Sequence, residues 1–158
     1  MNRALGFVLK FFAIFLVLEA GLFSFGAAPL EEWIAGFEAQ ALGLESAGNV
    51  VIAGGNEFTI NESCTGLVSG IILASIVFAL RRPALREKLK IFTAGFVLLF
   101  PLNLLRVYFV LLSAQWRGAE TAEFVHIASW FMGAGFVLLF WYFLTKRFAG
   151  VKEFNELI

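Results

Sequence analysis

Residues 56–80 read NEFTINESCTGLVSGIILASIVFAL. The polar run ends at Ser63, and from Cys64 to Leu80 the chain carries no Asp, Glu, Lys or Arg. Cys64 is the only cysteine of the protein. A polar approach followed by a long apolar run marks a chain entering a membrane. The one thiol therefore stands at the point of entry.

The composition agrees with that reading. The chain of 158 residues is 60% hydrophobic and 15% charged, with 20 Phe and a mean hydropathy of +0.85. Soluble domains hold about 45–50% apolar and about 25% charged residues, so an integral membrane protein is expected. The formal net charge is zero, which gives no ground for a nucleic-acid partner. One Cys and one His are too few ligands for a Cys/His metal site, and one Cys excludes an internal disulfide framework. No cofactor is expected.

A spanning helix needs about 20 mostly apolar residues. Such runs cover about 4–27, 65–80, 89–114 and 124–145. They predict an all-α membrane protein of about four transmembrane helices, forming a single domain over 1–158. The first run follows a short basic start, as a signal peptide does. It is too long for one, and its end, FGAAP, is a weak cleavage match, so a retained helix is expected.

Residues 28–63 have a more soluble character. In PLEEWIAGFEAQALGL, Trp33, Ile34, Phe37, Ala41 and Leu44 recur at helical spacing, which predicts a short amphipathic helix in the membrane interface. Pro29 and the acidic pair Glu31 and Glu32 suit its N-terminus. Two β-prone pieces, Val50 to Ile52 and Phe58 to Ile60, then flank Gly54-Gly55-Asn56, the pattern of a small β-hairpin. That hairpin delivers the chain to Cys64.

Charge sets an orientation. The link RRPALREKLK and the tail with Lys146, Arg147 and Lys152 are basic, whereas residues 28–63 hold six Glu and no Lys or Arg. Basic links lie on the cytoplasmic side. Both termini are therefore expected in the cytoplasm, with segment 28–63 and the link around Arg117 outside. Cys64 then sits at the outer end of the second span and His126 at the outer start of the fourth. Arg106, in the third, lies about eight residues below the outer end, or about 12 Å deep.

These three residues draw attention on chemical grounds. A lone Cys in an apolar protein is most often a small core hydrophobe, but one at a helix start is favoured as the thiolate, the nucleophilic form. A lone His at an interface often just anchors there, yet a Cys–His pair also activates a thiol for acyl transfer. An Arg within an apolar run costs a few kcal/mol to insert and faces a polar cavity or a partner; Glu19 or a lipid phosphate is the structural alternative. Asn103 lies on the same helical face as Arg106, and Pro101 predicts a kink beside them.

ESCTGLVSG, PLNLLRVYFVLL and FVHIASWFMGAG together resemble the exosortase/archaeosortase family of membrane cysteine transpeptidases, in a short, core-only form. The resemblance covers roughly residues 50 to 145. It implies catalytic roles for Cys64, Arg106 and His126, with Asn103 in support. It implies substrates that are secreted proteins carrying a C-terminal sorting tail, cut near a short motif and passed to an acceptor, for some members a lipid. The chemistry of the residues agrees, with Cys64 as nucleophile, His126 as base and Arg106 as oxyanion donor. A non-catalytic reading, a small transporter or an assembly factor, stays open beside it. Thiol redox exchange is opposed by the absence of a second Cys.

The orientation generates a direct test. In a Cys64→Ser background, a cysteine placed at Arg86 should be reached by a membrane-impermeant thiol reagent only after the cells are opened, and one at Glu57 in intact cells. Labelling of position 86 in intact cells would overturn the orientation.

Overall fold

The structure, a computed structural model, describes residues 3–149 and residue 157. Three of its helices are long and apolar enough to cross a membrane: α1 (Arg3–Phe25), α4 (Leu85–Arg117) and α5 (Ala119–Ala149). Between α1 and α4 lie α2 (Ala28–Leu42), strands β1 (Glu45–Ala47), β2 (Val50–Ala53) and β3 (Asn56–Thr59), a 3-10 turn (Glu62–Cys64) and α3 (Leu67–Ala79).

The run expected as a second span is shorter than a span. The 13 residues of α3 rise about 20 Å at 1.5 Å each, against a hydrocarbon core of about 30 Å. The shortening occurs at its start. Thr65 donates its hydroxyl to the Glu62 carbonyl (2.6 Å), and Gly66 adopts φ 79°, so the helix begins only at Leu67. By contrast α4 exceeds its predicted run, and it passes through Pro101 as one assigned helix. α5 packs along α4, and α1 against α3.

α2 forms where the proline and acidic first turn place it, and Gly43 closes it in the left-handed conformation with φ 67°. Ile34, Ala35, Glu38 and Ala39 turn inward, while Trp33 and Phe37 point out, 50% and 46% exposed. The small alanines let the helix backbone lie close to the sheet and α4. The aromatics instead stack on each other and on Phe100.

The β-prone pieces lie in a three-stranded antiparallel sheet, β1-β2-β3. Gly54 and Gly55, at φ 58° and 77°, make a two-residue turn in which both central residues have positive φ. β1 has no sequence signature of a strand: its three residues are all exposed. It forms because β2 offers it a free edge.

Two apolar clusters succeed each other along α4. One joins Ile34, Val51, Ile60, Val107 and Leu111; the other joins Leu73, Val77, Ile91, Leu99 and Val137. Asn103 and Arg106 fall at the boundary between them. At the opposite end, the Leu157 carbonyl accepts from the Arg81 and Arg82 N–H groups (2.9 and 3.3 Å). The basic α3–α4 link and the chain's end therefore meet on one face.

Glu38 stands out in the first cluster's neighbourhood. It is 1% exposed, and neither carboxyl oxygen has a hydrogen-bonding partner among the described residues. Burial pushes its carboxyl from 4.5 up to about 7. The folded protein thus retains a proton that the unfolded chain releases above about 4.5. Stability contributed by this group is full at acid pH and is lost as pH rises to about 7. In Glu38→Met that component of the pH dependence should vanish. Above about pH 7 the variant should be more stable by about 1–3 kcal/mol, the cost of leaving a buried polar group unpaired. Thermal unfolding in detergent across this range measures both; parallel curves for the two proteins would contradict the account.

Candidate active site

The site is built on a short turn held against the polar boundary of α4. Asn61 starts the turn: its Oδ1 accepts from the Ser63 N–H (3.1 Å) and the Ser63 hydroxyl (2.6 Å), and its carbonyl accepts from the Cys64 N–H (2.8 Å). Cys64 thus closes a 3-10 turn, two residues ahead of the Gly66 cap, rather than opening α3. The expectation of a thiol directly on a helix N-terminus is corrected to that extent. The side chain is 8% exposed, and its only hydrogen-bonding contact is the Ser63 hydroxyl, 4.0 Å from Sγ.

Asn103 fixes this turn from α4. Its Nδ2 donates to the Cys64 carbonyl at 2.6 Å, and its Oδ1 accepts from Arg106 Nη1 at 3.1 Å. The amide is a bridge between the Cys64 backbone and the guanidinium. Such a close approach needs Gly66, because a Cβ there would stand only 3.1 Å from Asn103 Cβ.

Arg106 is held from several directions. Nη1 also donates to the Ser63 carbonyl (3.1 Å), and Nε to Ser129 Oγ (3.2 Å). Ser129 in turn donates to the His126 carbonyl (2.7 Å). Nη2 faces His126 Nδ1 at 3.5 Å, and the Trp130 ring lies under the guanidinium with its centroid 5.1 Å from Cζ. A guanidinium carries five N–H groups; Ser129, Ser63 and Asn103 take three, and His126 Nδ1 can take at most one of the two on Nη2, so at least one is left without an acceptor among the described residues. Ser63, Asn103 and Ser129 are uncharged partners, and neither Glu19 nor any other described acid forms an ion pair with Arg106. The charge therefore stays available.

His126 comes to the same place from α5. Its Nε2 accepts from the Trp130 indole N–H at 3.3 Å. Neither ring nitrogen hydrogen-bonds the Cys64 sulfur. The two nevertheless line one cavity of about 210 Å³ together with Arg106 and Glu123, roofed by Phe58 to Ile60 of the β3 end. A second, mostly apolar cavity of about 520 Å³ adjoins it, walled by α3, α4 and α5, and Arg106 borders both.

All four residues expected from the sequence thus gather at this boundary. The reading of the sequence missed Ser129 and Trp130. Their signal was positional: they stand three and four residues after His126, on its helical face. No group of three or more His, Cys, Asp or Glu side chains that would hold a metal ion occurs among the described residues.

Helices of this length and hydropathy make the chain a membrane protein. It belongs to the transmembrane exosortases: the family model for Transmembrane exosortase (Exosortase_EpsH) matches residues 2–143. That family is one of cysteine-type transpeptidases. Comparisons with curated proteins and with solved structures found no match.

The contact between Gly66 and Asn103 makes the turn's placement testable. Gly66→Ala adds both a left-handed alanine, costing on the order of 1–3 kcal/mol, and a side chain that pushes Asn103 away. Gly48→Ala adds similar backbone strain (φ 59°) with nothing within 4 Å. Only the first should make Cys64 markedly more accessible to an alkylating reagent. Equal alkylation in the two variants would mean that Asn103 does not hold the turn.

Proposed function

We propose that this chain is a membrane-embedded cysteine protease/transpeptidase that processes the C-terminal sorting tails of secreted surface proteins. The observation that carries the reading is the single cavity lined by Cys64, Arg106 and His126, with Arg106 immobilised by neutral acceptors and keeping at least one N–H free. Family membership supports the class of chemistry.

In this mechanism the Cys64 thiolate attacks the scissile carbonyl, and a C–S bond forms as the carbonyl oxygen becomes an oxyanion. Arg106 Nη2 donates to that oxygen in a low-dielectric site, where a charge is worth more than in water. His126 takes the thiol proton and returns it to the departing amine as the C–N bond breaks. The resulting thioester is resolved by a second nucleophile: an acceptor such as a lipid, or water. The substrate's own hydrophobic tail helix would dock between the helices, beside the larger apolar cavity. The site would face the extracytoplasmic side, with both termini in the cytoplasm.

Two substitutions test the proposal in the native cell. Cys64→Ala should leave a tail-bearing surface protein unprocessed. Arg106→Lys should lie near it, with processing about a hundred- to thousandfold slower, as for loss of one oxyanion donor. A lysine keeps the charge but cannot reproduce the fork that meets Ser63, Asn103 and Ser129 at once. Normal processing without the thiol would sink the enzyme reading and favour a transporter or assembly role. Normal processing by the Lys variant alone would remove Arg106 from the catalytic set.

A further inference from the structure

Two donors compete for one imidazole. The Trp130 indole N–H has no acceptor capacity, and it points at His126 Nε2 from 3.3 Å. The Arg106 guanidinium likewise only donates, and it faces Nδ1 at 3.5 Å. A neutral imidazole has one lone pair and one N–H. The lone pair goes to Nε2 if Trp130 is answered; Nδ1 then carries the proton, and Arg106 Nη2 finds no acceptor on the ring. In that arrangement the only basic nitrogen of the ring is occupied, and neither nitrogen is bonded to Cys64.

We propose that Trp130 is a positioning residue that fixes His126 in the Nδ1–H tautomer and masks its Nε2, holding the thiol's base in reserve until the indole swings away. The inference rests on the reading of Cys64 as nucleophile and His126 as its base. The indole touches both partners at once, its edge on His126 and its face on Arg106. Releasing it therefore frees the base and uncovers the guanidinium's face together. It has room to move: Trp130 is 40% exposed and forms part of the wall of the 520 Å³ apolar cavity. Ser129 keeps Arg106 Nε in place meanwhile, since that bond does not involve the indole. Once Nε2 is free, the ring can turn into the cavity it shares with Cys64, accept the thiol proton, and leave the reactive thiolate.

One His and one Cys in the chain make the test clean. Trp130→Phe keeps a ring under Arg106 and removes only the N–H donor and some size. A second variant, with benzothienylalanine at position 130, keeps the bicyclic shape and lacks the N–H. The full-length protein in detergent, at one fixed near-neutral pH, is reacted with N-ethylmaleimide; the adduct reports Cys64 alone. In parallel, the imidazole of 15N-histidine-labelled protein reports which nitrogen carries the proton. Wild type should display an unprotonated Nε2 and a protonated Nδ1. Both variants should lose that preference and should alkylate about three- to tenfold faster, the equivalent of one net hydrogen bond. In a His126→Ala background the same substitutions should make no difference. Unchanged nitrogen signals and rates in the variants would overturn the proposal, and so would an acceleration that survives without His126. Processing in cells is a separate readout. If Cys64→Ala processes normally, the enzyme reading falls, while the nitrogen signals still decide whether Trp130 holds His126.

Discussion

A guanidinium on an otherwise apolar helix must find its solvation within the protein. For Arg106 that constraint shapes everything around it. Insertion of a bare Arg costs a few kcal/mol, and five N–H groups cannot all be answered from its own helix. Asn103 answers one from the preceding turn of α4, Ser129 one from α5, and the Ser63 carbonyl one from the turn before α3. Three segments distant in sequence are thereby drawn to a single point. The thiol travels with them: Cys64 is adjacent to Ser63, and its own carbonyl is taken by the same Asn103. The thiol's position is thus a by-product of solvating the charge.

The location of that point along α4 follows from packing. At 33 residues, α4 is about 50 Å long, well beyond the roughly 30 Å of a hydrocarbon core. Its last turns, Val107 to Ala114, are covered by α2 and the sheet instead of lipid, and Gly54 of the β2–β3 turn sits directly against the Ala114 backbone. Its middle packs on α3 and α5 through Leu99, Leu73 and Val137. The polar pair lies where one mode of packing changes to the other, and neither apolar cluster has to accommodate it. α3 is short for the same reason: its turn has to reach down to Asn103 before the helix can begin.

The extent to which this could be read from the sequence varied with the kind of signal. α1, α4 and α5 were legible because each is a long apolar run. Cys64, Arg106 and His126 were legible because each is an anomaly: the only thiol, a charge in an apolar run, the only imidazole. β1 was not legible, since Glu45, Ser46 and Ala47 carry no alternation and owe their strand to a partner's edge. The inward face of α2 was not legible, because the helical spacing of its apolar residues does not say which of them meet protein. Close approach favoured Ala35 and Ala39 over Trp33 and Phe37, which an apolar or interfacial surrounding accepts. Ser129 and Trp130 escaped notice because serine and tryptophan are ordinary near a membrane surface. Only their spacing from His126 distinguished them, and only a structure says which side of a helix faces a site.

Glu38 and Arg106 meet the same physics with opposite outcomes. Glu38 has neither oxygen answered, and burial drives its carboxyl up to about 7; the cheapest state is to keep a proton and shed the charge. Arg106 cannot shed its proton in a protein, so the fold must supply acceptors. The supply stops short at Nη2, beside the cavity shared by Cys64 and His126. A structural arginine would be expected to close that last valence or to sit against a carboxylate, and this one does neither. A fixed positive charge with an unanswered donor, and no ion pair to a described carboxylate, has most to gain from an oxygen that becomes negative in front of it.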